Sequence, residues 1–267
     1  MKIKSCRAKT NGTREWSEKS FNCCTGCSHD CRYCYAKEMA IRRKQVTAND
    51  WPFEQIRTKD VFIRHRKKYN GQVMFPTSHD ITPNNLDACI AKLKNLLLPG
   101  NRVLVVSKPH MECIIKICDT LRDFRDQILF RFTIGACDDQ ILSYWEPNAP
   151  GYDERKQCLM YAYQAGFQTS VSVEPMLDSA NIDTLIGELL PYITHSLWIG
   201  TMNHLKRFGN GSDVVLRQAI EKIRRGQTDS VIWAIYHRHK NNPMIRWKEE
   251  IKKILGIPLA DKPGMDI

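Results

Sequence analysis

The chain has 267 residues, of which 42% are hydrophobic and 26% charged, and its 40 basic and 29 acidic side chains give a formal net charge of +11. This composition is typical of a globular protein with one domain. No apolar run approaches the ~20 residues needed to cross a bilayer, which excludes a transmembrane span. Residues 1–6 lack the apolar stretch of a secretory signal, so we expect a cytoplasmic protein.

Short β-branched runs alternate with segments of helical periodicity, the pattern of βα units around a parallel sheet. The predicted strands are 20–24, 73–78, 102–107, 128–134, 169–174 and 196–201. The predicted helices are 30–44, 84–98, 111–124, 138–145 and 153–166. Asp153 is a suitable N-cap for the last of these helices, and Gly166 suits its C-terminal αL position. Further along, the pattern allows a strand at 231–236 and a closing helix at 247–255.

Three cysteines follow the first predicted strand in a C-x3-C-x2-C array, at Cys27, Cys31 and Cys34. Three thiolates from one loop can hold three irons of a 4Fe-4S cluster and leave the fourth iron open. The amino and carboxylate groups of S-adenosylmethionine can chelate an open iron, where an electron cleaves the C–S bond. The product would be a 5'-deoxyadenosyl radical that abstracts hydrogen from a substrate.

The alternative for this loop is a zinc knuckle in which Cys23, Cys24 or His29 supplies a fourth ligand. Zinc loops favour paired C-x2-C elements, and no second pair follows at a suitable distance. The iron-sulfur interpretation is therefore favoured, and Cys23 and Cys24 are interpreted as small buried hydrophobes. The eleven cysteines of the chain form no even ladder of spacings, so a disulfide framework is not expected.

The string 26–36, GCSHDCRYCYA, resembles the radical S-adenosylmethionine superfamily, in the branch of spore photoproduct lyase and DNA repair photolyase-like proteins. The segment 145–150, WEPNAP, followed by Arg155 and by 165–167, supports that branch. The resemblance implies an α/β fold, a partial (β/α)6 TIM-type barrel of parallel strands with its active site at the strands' carboxyl ends. The barrel would span about 18–205 of a single domain, with a short C-terminal extension at about 206–267.

The resemblance also implies cofactors, a partner and cofactor-binding residues. The cofactors are a 4Fe-4S cluster and S-adenosylmethionine, and the partner is a reducing protein such as a flavodoxin or ferredoxin. Ser107, Lys108 and Thr133 match positions that hold the methionyl group, and Lys108 would pair with its carboxylate. An exposed loop cation is the alternative for Lys108. Tyr33 would cover the adenine or pack as a core aromatic, and Glu174 would meet the ribose, the substrate or an arginine.

Further residues are candidates for catalysis or substrate contact. Glu146 and Arg155 would pair with each other across their loop, and Asn203 and His204 would face the cavity. The exit of the second strand carries Thr77, Ser78, His79 and Asp80.

This strand exit has no thiol, whereas the lyase has a cysteine nearby that returns hydrogen to the repaired thymine. Repair of a thymine photoproduct is therefore not expected. The polar residues suit a substrate bound through amide or phosphate groups, or cofactor contacts. Asp80 and Thr82 would alternatively cap the helix that begins near Asn84.

The positive charge would concentrate a polyanion such as DNA or RNA. The basic residues are dispersed in short runs, at 42–44, 64–68, 224–225 and 237–240, and a merely basic surface is the alternative. Three functions follow: radical chemistry on a nucleic acid base or modified base, the same chemistry on a small molecule or peptide, and non-catalytic nucleic-acid binding by a zinc-stabilised protein.

Overall fold

The computed structural model describes residue 10 and residues 12–203, 205–208 and 213–264. Its strands are β1 (Lys19–Ser20), β2 (Cys24–Thr25), β3 (Gln55–Ile56), β4 (Val73–Phe75), β5 (Val103–Ser107), β6 (Ile128–Thr133), β7 (Gln168–Val173), β8 (Ser196–Ile199) and β9 (Ile245–Trp247). Seven of them form one sheet in the order β1-β4-β5-β6-β7-β8-β9, and every neighbouring pair is parallel. The other two, β2 and β3, form a separate antiparallel ribbon.

Ten α-helices lie between and after these strands in the described residues. They are α1 (Tyr35–Arg42), α2 (Thr58–Phe62), α3 (Leu86–Leu97), α4 (Met111–Thr120), α5 (Asp139–Trp145), α6 (Tyr152–Gln164), α7 (Ile182–Leu189), α8 (Val214–Gly226), α9 (Asp229–His239) and α10 (Glu249–Leu255). Short 3-10 turns lie at Gly12–Glu15, Arg122–Gln127, Leu190–Tyr192 and Leu205–Phe208. None of the helices in the described residues has the length and apolar character needed to span a membrane.

The two faces of the large sheet bury different side chains because strand residues alternate with period two. Met74, Leu104 and Leu129 are direct partners across β4, β5 and β6, and they pack with Trp16 and Trp198 in a small inner cluster. The neighbouring strand residues, such as Val103 and Val105, join the large core between sheet and helices. The sheet therefore has an inner face on which a cavity can be built, as in a barrel.

The predicted fold class, an α/β partial barrel of parallel strands, is confirmed, with seven strands where six were predicted. The extra strand, β9, pairs with β8 and lies in the segment assigned to the C-terminal extension. The predicted strand 231–236 is wrong. This segment belongs to α9, because Ile232 and Ile235 are three residues apart and are buried on one helix face.

Several predicted boundaries also differ from the observed ones. The strand predicted at 20–24 is divided between β1 and the β2–β3 ribbon. The strand predicted at 73–78 ends at Phe75, since Pro76 has no N–H to donate. Asp153 is not the N-cap of α6, which begins after Gly151, whereas Gly166 has the expected left-handed conformation with φ 80°.

Candidate active site

A cavity of about 1120 Å³ opens at the carboxyl ends of the barrel strands. Most of the residues singled out in the sequence line it: Cys27, Cys31, Tyr33, Cys34, Thr77, Ser78, His79, Asp80, Lys108, Thr133, Glu174 and Asn203. Ser107, Glu146 and Arg155 lie behind this lining, and His204 is outside the described residues. Residues from the exits of five strands thus converge on one cavity.

The cysteine loop is held in place by backbone contacts. The Cys27 N–H donates to the Trp51 carbonyl oxygen at 2.9 Å, and the Cys34 Sγ accepts from the Lys37 N–H at 3.4 Å as the N-cap of α1. This cap explains why the helix predicted from residue 30 begins only at Tyr35. Cys27 and Cys31 are each 6% exposed, so their thiols are buried at the edge of the cavity.

Gly26 provides a test of how tightly this loop is packed. It has φ +93°, and an added Cβ would lie 2.7 Å from the carbonyl oxygens of Trp51 and Phe53. Gly166 has a similar φ of +80° but open space around its Cβ position. We expect Gly166→Ala to cost about 1–2 kcal/mol of unfolding free energy. Gly26→Ala should cost clearly more and lower metal content, because the loop must shift.

Thermal unfolding and iron analysis of both alanine variants check this expectation. Equal losses of stability in the two variants, with full metal content in both, would contradict the close approach at Gly26.

Asp80 is the centre of a polar cluster beside the cysteine loop. Its Oδ2 lies 3.2 Å from the Lys108 Nζ and 2.8 Å from the His29 Nδ1, and its Oδ1 accepts from the Lys108 N–H at 2.9 Å. The Ser107 hydroxyl donates to the same Oδ1 at 3.3 Å, which gives Ser107 a role in positioning Asp80. Helix capping by Asp80 and Thr82 is wrong, since the Thr82 hydroxyl donates to Glu54 instead.

The charged groups of this cluster stabilise one another's ionised forms. Burial by itself would raise the pKa of Asp80, but the Lys108 ammonium and the His29 ring outweigh it and hold that pKa well below its usual range. Burial would lower the pKa of Lys108, yet the Asp80 carboxylate holds it well above its usual range. Lys108 is 9% exposed, so the alternative of an exposed loop cation is wrong.

His110 joins this cluster and was not identified from the sequence. Its Nε2 lies 2.8 Å from the His29 Nε2, and its Nδ1 lies 4.0 Å from the Glu154 Oε1. Both ring nitrogens of His29 are therefore engaged by protein groups, one by Asp80 and one by His110. The only sequence signal for His110 was its place two residues after Lys108, at the exit of β5.

The three thiols of the loop do not converge on one point. Within the described part of the chain, the only three groups with ligand atoms within 4.8 Å of one another are Cys27, His29 and Asp80. Of the three loop thiols, only that of Cys27 belongs to this group. Burial raises the pKa of all three thiols. A metal centre that binds them must therefore displace their protons.

A buried ion pair holds the WEPNAP segment against the cysteine loop. The Arg155 Nη2 lies 2.5 Å from the Glu146 Oε2, and both side chains are 0% exposed. Arg155 also donates to the carbonyl oxygens of Thr133 and Pro150. The Tyr33 hydroxyl donates to the Glu146 Oε1. The pair expected from the sequence is present, and it supports Tyr33 rather than facing the cavity.

The C-terminal segment supplies cavity residues that sequence reasoning missed. Lys248, 1% exposed, follows β9; its Nζ lies 3.7 Å from the Glu174 Oε2 and forms an ion pair with Glu15. Gly200 permits this approach, since an added Cβ would lie 2.8 Å from the Lys248 Cγ. Burial raises the pKa of Glu174 although Lys248 opposes the shift.

No family model matches the chain. The protein named Uncharacterized protein ORF301 of Acidianus two-tailed virus is 25% identical over 189 residues, which are 67% of this chain and 62% of the viral protein. The chain therefore spans somewhat less than two thirds of that relative.

Two groups of solved structures share the fold. A mutant spore photoproduct lyase with bound AdoMet and dinucleoside spore photoproduct is 14% identical with a TM-score of 0.55, covering 85% of this chain and 75% of the lyase. Streptococcus suis SuiB bound to S-adenosylmethionine is 8% identical with a TM-score of 0.54, covering 92% of this chain and 54% of SuiB. SuiB bound to its precursor peptide SuiA has a TM-score of 0.55. At these identities the likeness establishes the partial-barrel fold.

Proposed function

We propose that this protein is a radical S-adenosylmethionine enzyme that holds a 4Fe-4S cluster through Cys27, Cys31 and Cys34. The observation that carries the proposal is that all three thiols of the loop line the edge of one cavity of about 1120 Å³ at the carboxyl ends of the strands. Both ring nitrogens of His29 contact protein groups, so ligation of zinc by His29 would replace its contact with Asp80 or with His110. The fold likeness to two proteins solved with the same cofactor supports the assignment.

When bound, the cluster would supply the electron that cleaves S-adenosylmethionine to a 5'-deoxyadenosyl radical. The residues of this chain would bind and orient the cofactor and exclude water from the cavity. Lys108, kept charged by Asp80, is positioned to attract the carboxylate of the cofactor's methionyl group. Thr133 and Glu174, at the ends of the next two strands, also line the cavity and would offer hydrogen bonds to sugar hydroxyls. Tyr33, whose hydroxyl donates to Glu146, lines the cavity between Cys31 and Cys34 of the loop.

The substrate we propose is a nucleic acid base or modified base. The net charge of +11 supports it, and so do three arginines that line the cavity, Arg14, Arg42 and Arg207. The lyase neighbour was solved with a dinucleoside in place. Among the described residues that line the cavity, the only thiols are those of the cluster loop, which argues against thymine photoproduct repair.

A peptide or small-molecule substrate is the second candidate, favoured by the SuiB neighbour solved with a precursor peptide. A cytoplasmic location and a flavodoxin or ferredoxin as reducing partner belong to the same proposal.

Anaerobic reconstitution tests the chemistry. We expect a brown protein with broad absorption near ~400 nm and, with dithionite, formation of 5'-deoxyadenosine. Deuterium-labelled oligonucleotides and peptides then discriminate the substrates, because the label must enter 5'-deoxyadenosine from the molecule whose C–H bond breaks. A colourless protein containing zinc, without cofactor cleavage, would refute the proposed function.

A further inference from the structure

The segment 43–68, which we call the cluster lobe, lies outside the large sheet and contains β3 and α2. Four of its large hydrophobic side chains face solvent: Phe53 is 71% exposed, Ile56 39%, Phe62 66% and Ile63 56%. They fall within eleven consecutive residues, and β3 runs directly into α2. A concentration of exposed apolar side chains of this kind marks an interaction surface.

The charges of the cluster lobe are strongly one-sided. Its exposed cations are Arg43, Lys44, Lys59, Arg64, Arg66, Lys67 and Lys68. Its one exposed anion is Asp50. The other two carboxylates are engaged within the protein, because Glu54 accepts from the Ser28 N–H and Asp60 pairs with Arg57. Exposed cations therefore outnumber exposed anions along this segment, which favours an acidic partner.

The lobe also reaches a cluster ligand by a short path. The Trp51 carbonyl oxygen accepts the Cys27 N–H at 2.9 Å, and the Trp51 ring, 2% exposed, packs in the same small cluster as Cys27. Phe53, two residues further along the chain, is at the surface. One hydrogen bond and two peptide units thus connect the main chain of Cys27 to an exposed aromatic ring. Electrons tunnel more efficiently through such bonded paths than through solvent.

We infer that the cluster lobe is the docking surface for an acidic one-electron carrier protein, flavin- or iron-sulfur-containing, that reduces the cluster. The inference rests on the proposed function, which requires an electron. The carrier loses one electron, the cluster gains it, and no atom is transferred. A nucleic acid strand fits less well, since Ile56 and Ile63 offer nothing to phosphates, and the cavity has its own arginines for that role.

Two variants with matched controls test the inference. The Lys44→Glu/Lys59→Glu variant reverses the charge of two exposed side chains of the lobe. The Phe53→Ser/Ile56→Thr variant replaces two of its exposed apolar side chains. Lys222→Glu/Arg224→Glu on α8 makes the same charge change elsewhere, and Leu98→Ser alters a side chain that is 70% exposed. The probe is a reduced bacterial flavodoxin, mixed anaerobically with each reconstituted protein. Bleaching of the cluster absorbance gives the rate of reduction, and flavin fluorescence gives the affinity for oxidised flavodoxin.

We expect both lobe variants to lower the rate of reduction by flavodoxin, and its affinity, by about tenfold or more, since complementary charge accelerates association. Reduction by dithionite should stay within about twofold of the unaltered protein in every variant, because this small reductant does not need the docking surface. Added salt should slow the unaltered protein more than the charge-reversal variant, because salt screens exposed charges.

Four outcomes would overturn the inference. Lobe variants could behave like the controls, or flavodoxin could fail to reduce the unaltered protein while dithionite succeeds. Equal losses with both reductants would indicate a damaged cysteine loop. Loss of single-stranded oligonucleotide affinity with an unchanged flavodoxin rate would make the lobe a nucleic acid surface. Absence of cofactor cleavage with dithionite in the unaltered protein would instead refute the proposed function itself.

Discussion

Alanine at any one of Cys27, Cys31 and Cys34 is expected to abolish cluster retention and, with it, cleavage of S-adenosylmethionine. All three thiols line the cavity, with Cys27 and Cys31 buried and Cys34 partly buried, and the described lining residues include no other thiol to replace one of them. Loss of one of three ligands leaves a second iron without protein support. Iron and sulfide content, absorption near ~400 nm and the yield of 5'-deoxyadenosine measure the effect.

The matched controls are the cysteines buried in helices. Cys89, Cys113, Cys118 and Cys158 lie on α3, α4 and α6 and are at most 2% exposed, within the core. Their replacement by alanine should leave the cluster and cofactor cleavage largely intact and cost roughly 1 kcal/mol of stability. Loss of the cluster in any of these four variants, or its retention in Cys31→Ala, would contradict the ligand assignment.

The second large effect is expected at the buried ion pair. Arg155→Met leaves the Glu146 carboxylate uncompensated at a site with 0% exposure for both side chains. Removing one partner of such a pair costs about 3–5 kcal/mol. At roughly 2–4 °C per kcal/mol for a protein of this size, the thermal midpoint should fall by roughly 6–20 °C. Thermal unfolding of the apo protein measures the change without dependence on the cluster.

Two further variants separate the charge effect from lost packing. Glu146→Gln in the Arg155→Met background removes the stranded charge, so part of the lost stability should return. Arg225→Met breaks an exposed pair with Glu221 and should cost under about 1 kcal/mol. If the double variant were less stable than Arg155→Met alone, the stranded charge would not be the cause of the loss.

The fold class and the cysteine loop could be read from the sequence because their signals are local. Alternating apolar strands and amphipathic helices repeat along the chain, and the three cysteines lie within eight residues. Boundaries were less predictable where long-range contacts decide them. Nothing in the composition of residues 20–24 divides them, yet Ser20 pairs with Met74 of β4, whereas Cys24 pairs with Ile56 of β3, 32 residues further along the chain.

The candidate site likewise combines residues that could be identified from the sequence with residues that could not. Lys108 and Asp80 were singled out from their places at strand exits, but their pairing joins positions 28 residues apart. Lys248 gave no signal, because β9 has only three residues and its role depends on reaching Glu174 across the sheet. Most residues of the basic runs 42–44 and 64–68 belong to the cluster lobe, and only the structure showed that most of them are exposed.

The sequence by itself determined the type and spacing of the ligands in the cysteine loop, since these are properties of adjacent residues. It also determined the layer architecture, because hydrophobic periodicity is local. Only the tertiary structure decided which charges are paired, which residues complete the cavity wall and which surface remains open to a partner. Those features depend on burial and on contacts between distant segments, and neither exists before the chain has folded.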